Sequence, residues 1–482
     1  MNHHSADIPR RRDHLIARLR NAPFVPRMDA FLLSSHYLVL LGLLTVAANA
    51  FSLELPVYGT FAALIVYISL FGKDFLPILP ILICCYIAPS RDNNPGIYTD
   101  SFFYGPGGVA IAVLVVITVI AVVLRLALDP ELGQAKLLKT KRVLLPGIVA
   151  LGVTYVLGGI GSGHYFDRDT ANLVFGLVQF LAIGLLYFIL TAAVKWEEAP
   201  KHYFSRVCVT WGLILVAEIA VMYAQAHPFA GGELDRNVLF TGWGNYNCMG
   251  ALLTMMIPFA FHLGTVRKPT WLYSDVAALF LVGVILTCSR TSLVIAVAVY
   301  IVCLVYLMVK SPRRWSCAAV NVIAFGGALA YLLIFHYDLF LEYLDIFTIT
   351  RSVNSRLDGF VAGIAQFLDA PILGGGFFPV DYPLEIWSTV DTVTNFFPAF
   401  WHNTVIQLLA TCGVVGLAAY CWHRWQTLQL LQKKPTIQNV YIYLSIAAML
   451  AMSMFDCHLF KIGPTVIYSI SLAFAEKQET CE

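Results

Sequence analysis

Residues 107–127 read GGVAIAVLVVITVIAVVLRLA, with Arg125 as the one charged side chain. Coiled into an α-helix at about 1.5 Å per residue, such a run is roughly 30 Å long, the thickness of a bilayer's hydrocarbon core. It lacks the period-two alternation of a barrel strand. In lipid, every backbone N–H and C=O must be satisfied internally, which leaves a helix or a closed barrel. This stretch is therefore expected to be a membrane-spanning helix.

Comparable runs recur along the chain at 31–52, 55–72, 75–88, 143–161, 171–194, 207–226, 245–264, 275–288, 291–309, 316–336, 402–422, 439–455 and 463–476. Composition agrees: 59% of the 482 residues are hydrophobic and 12% charged, where a soluble domain carries about 25% charged residues. A surface facing lipid explains that shortage. The expected fold is an all-α, polytopic membrane helix bundle with about 12–14 transmembrane helices and one large extracytoplasmic loop. Residues 1–30 are polar and basic, with Arg10, Arg11, Arg12, Arg18, Arg20 and Arg27, and do not resemble a cleaved signal peptide.

Short cytoplasmic loops retain Lys and Arg. With the N-terminus inside, successive crossings put Lys136, Lys139, Lys141 and Arg142 in the cytoplasm. The same count places Lys195, Lys201 and Arg206 there, then Arg267 and Lys268, Lys310, Arg313 and Arg314, and finally Arg424, Lys433 and Lys434. The expected organisation is a basic cytoplasmic tail (1–30), transmembrane helices (31–336), an extracytoplasmic loop with short helices (337–401), the last three transmembrane helices (402–476) and a cytoplasmic tail (477–482). Aromatics crowd the loop, among them Phe377, Phe378, Trp387, Phe396, Phe397, Phe400 and Trp401. They suit either an interfacial belt or a lid over a site.

Ionisable groups near membrane depth face a cavity or a partner. On the expected outer side these are His402, Arg290, Arg351, Arg356, Arg236 and Asp456, with Glu218 in the outer half of a span. Guanidinium groups offer planar, permanently charged, bidentate donors suited to phosphate oxygens. A histidine can take a proton near neutral pH. Together these residue types point to a phosphate-bearing substrate and a nucleophile that has to lose a proton.

Other signals fail. Gly158–Gly163 lacks the Lys–Ser/Thr of a phosphate-cradling loop. Asp167-Arg168-Asp169 has the acidic spacing of a metal and nucleotide-sugar site, but the charge pattern puts it outside the cell, where nucleotide-sugars are absent. Most of the eleven cysteines, including Cys84, Cys85, Cys208, Cys303, Cys412 and Cys421, lie in apolar runs, and no CxxC or Cys/His metal spacing occurs. No metal, cofactor or nucleic acid is expected.

Four segments in order, between about 236 and 456, carry a resemblance. His402-Asn403, nine residues and then Gly413-Val414-Val415-Gly416 resembles the HN-x9-GxxG signature of the bacterial O-antigen ligase and O-antigen polymerase superfamily. Gly244-Asn245-Tyr246-Asn247 with Gly250 resembles that family's G-N-P-N motif, with Tyr246 in place of the usual proline. Cys288-Ser289-Arg290-Thr291 resembles its serine-arginine turn, and Arg356 with Pro371–Gly376 resembles the arginine and P-x-L-G-x-G of its outer loop. The resemblance implies an inverting, metal-independent transfer of a glycan from an undecaprenyl-pyrophosphate donor to an acceptor sugar hydroxyl. It implies His402 as the base, Arg290 and Arg356 as the pyrophosphate clamp, and Asp456 as the acidic partner of His402; Arg236, Asn247, Arg351, Asn403 and Asp456 are the residues expected to bind substrate. The acceptor would be another lipid-linked glycan for a surface-polysaccharide polymerase, or lipid A-core for a ligase. A flippase or transporter of the same lipid is the reading from another class. The site would lie on the outer face of the bacterial inner membrane, among membrane lipids.

Overall fold

The computed structural model describes residues 22–87, 106–128, 142–161, 176–226, 236–334, 350–377 and 400–480, apart from 197–198, 242–243, 434–435 and scattered positions in 312–333. It divides into two compact units, Met1–Lys141 with Ala192–Tyr203, and Arg142–Thr191 with Phe204–Glu482.

The first unit holds α1 (Val25–Leu32), α2 (Ser35–Phe51), α3 (Glu54–Phe71), α4 (Leu79–Ile87) and α5 (Pro106–Leu128). Ser34 caps α2, its side chain accepting from the Tyr37 amide, and α1 is bent by 69° from α2. Helix α5 is the 107–127 run. Its Val109, Val113, Val116, Val119 and Val123 are all exposed, a continuous apolar face that is costly in water and satisfied against lipid.

The second unit holds α6 (Leu145–Gly161), α7 (Gly176–Ala193), α8 (Tyr203–Ala226), α9 (Tyr246–Val266), α10 (Thr270–Leu286) and α11 (Arg290–Lys310). Helices α12 (Thr350–Asp369), α13 (Thr404–Lys433), α14 (Ile437–Met452) and α15 (Ile462–Thr480) complete it. The strands are β1 (Phe240–Thr241) and β2 (Gly244–Asn245), an antiparallel pair leading into α9. An all-α polytopic bundle is thus the observed class. By length and apolarity six described helices can cross a bilayer, seven with the bent α1–α2 pair, and further apolar helices of 10–17 residues occupy other expected segments. Every apolar run read from the sequence coincides with a helix except 316–336, which is described only in part.

Helix α9 is the hub of this unit. Cys248 to Gly264 are all buried, and the helix packs against α10, α11 and α14. Buried polar side chains join the helices: His262 Nδ1 with Ser205 Oγ at 2.7 Å, Thr265 with Tyr441 at 2.8 Å, and Ser445 Oγ donating to the Met255 carbonyl at 2.8 Å. Each contributes on average about 0.6 kcal/mol in membrane proteins. At the far end of α15, Glu476 accepts from the Val143 and Leu144 amides and the Tyr187 hydroxyl, satisfying N–H groups at the start of α6.

The 402–422 run, expected to be one span, is broken. Helix α13 changes direction at Gly413, whose φ of 64° and ψ of −163° lie outside helical space. The Pro371–Gly376 segment fills the break. The Gly375 and Gly376 amides donate to the Ala410 and Thr411 carbonyls at 2.7 and 3.1 Å, and the Val414 and Val415 amides donate to the Pro371 and Ile372 carbonyls at 2.9 and 3.3 Å. Both sets of backbone groups orphaned by the break are thereby paired. Only glycines fit here. A Cβ on Gly374 (φ 82°) would lie 2.3 Å from the Cys412 nitrogen, and one on Gly413 would lie 2.2 Å from the Ile372 oxygen.

Candidate functional site: a histidine–aspartate pair and an arginine cluster

His402 precedes α13 with a φ of 54°. The left-handed region costs a non-glycine residue about 1–2 kcal/mol, so the surroundings must hold it there. They do so through its successors. Asn403 caps α13, its Oδ1 accepting from the Val405 and Ile406 amides at 2.9 and 3.1 Å. Its Nδ2 donates to the Met454 carbonyl at 2.9 Å, and the Thr404 amide donates to the Ser453 carbonyl at 2.9 Å. Residues 402–404 are thus stitched to the turn after α14.

That stitching brings His402 to Asp456. Nδ1 lies 3.6 Å from Oδ1, with the imidazole 24% exposed and the carboxylate 7%. At this distance the contact is electrostatic, longer than a hydrogen bond. Asp456 does not end α14 but lies four residues beyond it, where Oδ1 also accepts from the Cys457 amide at 2.7 Å. Burial alone would raise its pKa. The Lys461 ammonium at 2.5 Å, with His402 and His458 nearby, overrides that and holds the carboxyl well below the usual range.

The arginines form a second group. Arg236 lies over the Tyr246 ring at 4.6 Å, so the tyrosine that replaces the usual proline serves as a cation–π platform. Its Nη1 donates to the Cys288 carbonyl at 3.4 Å. Cys288 is left-handed (φ 50°) and turns the chain into Ser289 and Arg290, the first residue of α11. Arg290 is close enough to Arg236 and Arg356 for their charges to act on it. Its Nε is buried with no hydrogen-bond partner, and among the described residues no carboxylate pairs with any of the three.

The first turn of α9 joins the groups. Tyr246 touches Arg236, and Cys248 lies within electrostatic reach of Lys461. Asn247 sits between them, its amide capped by Asn245 Oδ1 at 3.1 Å. Arg356 is carried by α12. That helix turns Gly363 and Gln366 inward and leaves Leu357, Val361, Ile364 and Leu368 exposed as an apolar stripe.

The structure therefore gathers Arg236, Arg290 and Arg356, and separately His402, Asn403 and Asp456, at one helix end. The Arg351 side chain, Asp167–Asp169, Phe378, Trp387, Phe396 and Phe397 lie outside the described residues. Two aromatics expected in a belt or lid are core residues. Trp401 donates from its indole to Gln366 Oε1 at 3.0 Å, and Phe377 packs on Tyr155 and Phe460. Sequence reasoning missed Lys461 and Gln366. A lysine five residues after Asp456, just before an apolar run, was the available signal for the first; Gln366 had none. Among the described residues no three His, Cys, Asp or Glu side chains group as metal ligands.

No curated protein matches the chain. A family model described as O-antigen ligase does match, over residues 276–421, the segment that carries Arg290, Arg356, His402 and the break at Gly413. Over this segment the chain is similar to the O-antigen ligase family.

Proposed function

We propose that this multi-pass membrane protein is an inverting, metal-independent glycosyltransferase at the outer face of the bacterial cytoplasmic membrane, with its N-terminus in the cytoplasm. It moves a glycan from undecaprenyl pyrophosphate to an acceptor sugar hydroxyl. The observation that carries the reading is the cluster of three arginines, none of them paired with a carboxylate among the described residues, beside a histidine–carboxylate pair. Mutually repelling guanidinium groups gathered at one place suit a polyanionic ligand such as a pyrophosphate.

In the reaction, the acceptor oxygen attacks the anomeric carbon of the donor's first sugar. The bond from that carbon to the pyrophosphate oxygen breaks, and the electron pair leaves with the polyprenyl pyrophosphate. His402 takes the hydroxyl proton, and the ionised Asp456 stabilises the imidazolium. Arg290 and Arg356 balance the charge that grows on the leaving group, with Arg236 at its edge and Arg351, Asn247 and Asn403 as further substrate contacts. The apolar stripe on α12 suits a lipid-carried substrate.

A polymerase is favoured over a ligase by the charge of the 337–401 loop. It holds Asp338, Glu342, Asp345, Asp358, Asp369, Asp381, Glu385 and Asp391 against Arg351 and Arg356. Such a loop repels the phosphates of a lipid A-core. The test is purified protein in liposomes with lipid-linked repeat units. Longer lipid-linked chains bear out the polymerase. Growth only after lipid A-core is supplied, with glycan appearing on it, shows the ligase. Passage of the lipid across the bilayer without any new linkage shows a transporter and overturns the reading.

A further inference from the structure

A half-buried ammonium stands beside the histidine–aspartate pair. Lys461 follows a single 3-10 turn, His458–Phe460. In that turn the Phe460 amide donates to the Cys457 carbonyl at 2.9 Å and the Lys461 amide to the His458 carbonyl at 3.2 Å. The turn brings Nζ back to Asp456 Oδ2 at 2.5 Å, with the lysine side chain 16% exposed. The other carboxylate oxygen, Oδ1, takes the Cys457 amide and faces His402.

We infer that Lys461 is a positioning residue: its ammonium holds one oxygen of Asp456 and leaves the other facing His402, so that the imidazole meets a carboxylate already shared with a fixed cation. The inference rests on the transfer reading only for its link to turnover. The charged and titratable groups facing this pair are His402 at the start of α13, His458 and Cys457 in the same turn, and Cys248 from α9. Burial takes His458 down to about 4, so it is neutral at physiological pH. Lys461 itself is held charged: burial would lower its pKa, but Asp456 raises it further than that. A carboxylate without this cation would grip an imidazolium more tightly, and His402 would then become a free base only at higher pH.

Lys461→Met should therefore move the acid limb of the pH–rate profile upward by about 1 pH unit, the scale set by one charge within a few ångströms. Lys461→Arg should leave it within about 0.3 unit, because the charge is kept. A second readout does not need turnover. The rate at which diethylpyrocarbonate modifies His402, followed by mass spectrometry with His402→Ala as background, reports the neutral imidazole across pH. Its midpoint should rise in Lys461→Met and return in Lys461→Arg. Should Lys461→Met not reach the membrane, Lys461→Gln keeps a donor without the charge and reads the same shift. An unmoved midpoint in a folded neutral variant overturns the inference and makes Lys461 structural. A midpoint that moves in a protein with no transfer activity leaves Lys461 in its role and removes the transferase reading instead.

Discussion

Replacing Gly374 by alanine tests whether the docked loop holds the broken helix and, with it, the site. The new Cβ would lie 2.3 Å from the Cys412 nitrogen and the Thr411 carbonyl carbon, and 2.4 Å from the Thr411 oxygen. All three are backbone atoms, so no side chain can swing aside. The position also has a φ of 82°, which costs an alanine about 1–2 kcal/mol. Relief requires the loop to lift from α13. That sacrifices the bonds from Gly375 and Gly376 to the Ala410 and Thr411 carbonyls, at roughly 1 kcal/mol each. The expected loss is about 3–4 kcal/mol from these two sources. The assay is thermal unfolding in detergent, read by a thiol-reactive dye, since Cys412, Cys457, Cys288 and Cys208 are free and buried. Gly359→Ala is the control. It lies in α12, where a new methyl group would meet nothing within 4 Å, so it should be neutral or stabilising by up to about 1 kcal/mol. If Gly374→Ala unfolds at the same temperature as Gly359→Ala, the loop does not support the break, and the reasoning fails.

Two further outcomes are expected. Arg290→Lys and Arg356→Lys keep the charge but lose the bidentate fork; each should weaken binding of undecaprenyl pyrophosphate and lower turnover by about tenfold or more, the worth of one charge-assisted hydrogen bond. Unchanged binding and turnover in both would remove these arginines from the site. On a cysteine-free background, a cysteine at position 390 should react with an impermeant reagent from outside and one at position 138 should not, as the distribution of positive charge requires. Labelling at 138 would invert the orientation.

The helices were legible because each rests on local information: an apolar run of the right length, with Asn245, Asn403 and Thr436 capping where the runs begin. The break at Gly413 was not. The run 402–422 stays apolar throughout, and what opens it is a segment some forty residues earlier in the chain supplying the missing hydrogen bonds. His402, Arg290, Arg356 and Arg236 stood out as charges where charge is costly. Their grouping did not, because it depends on the left-handed turns at Cys288 and His402 and on the bonds from Asn403 and Thr404 to the turn after α14. Lys461 is hidden in the sequence because a lysine before an apolar run reads as an ordinary membrane-edge residue. Trp401 and Phe377 mislead for the same reason, as aromatics near an interface whose burial is set by distant partners such as Gln366 and Tyr155.

The most direct test of the proposed chemistry is transfer by His402→Ala in liposomes, with donor binding measured on the same preparation. A positioned general base is worth about 10²–10⁴-fold in rate. The variant should therefore bind undecaprenyl pyrophosphate as the wild type does, because the arginines remain, while forming product at least about a hundredfold more slowly. Product formed at the wild-type rate by a folded His402→Ala protein would contradict the assignment of His402 as the base and with it the account of the site.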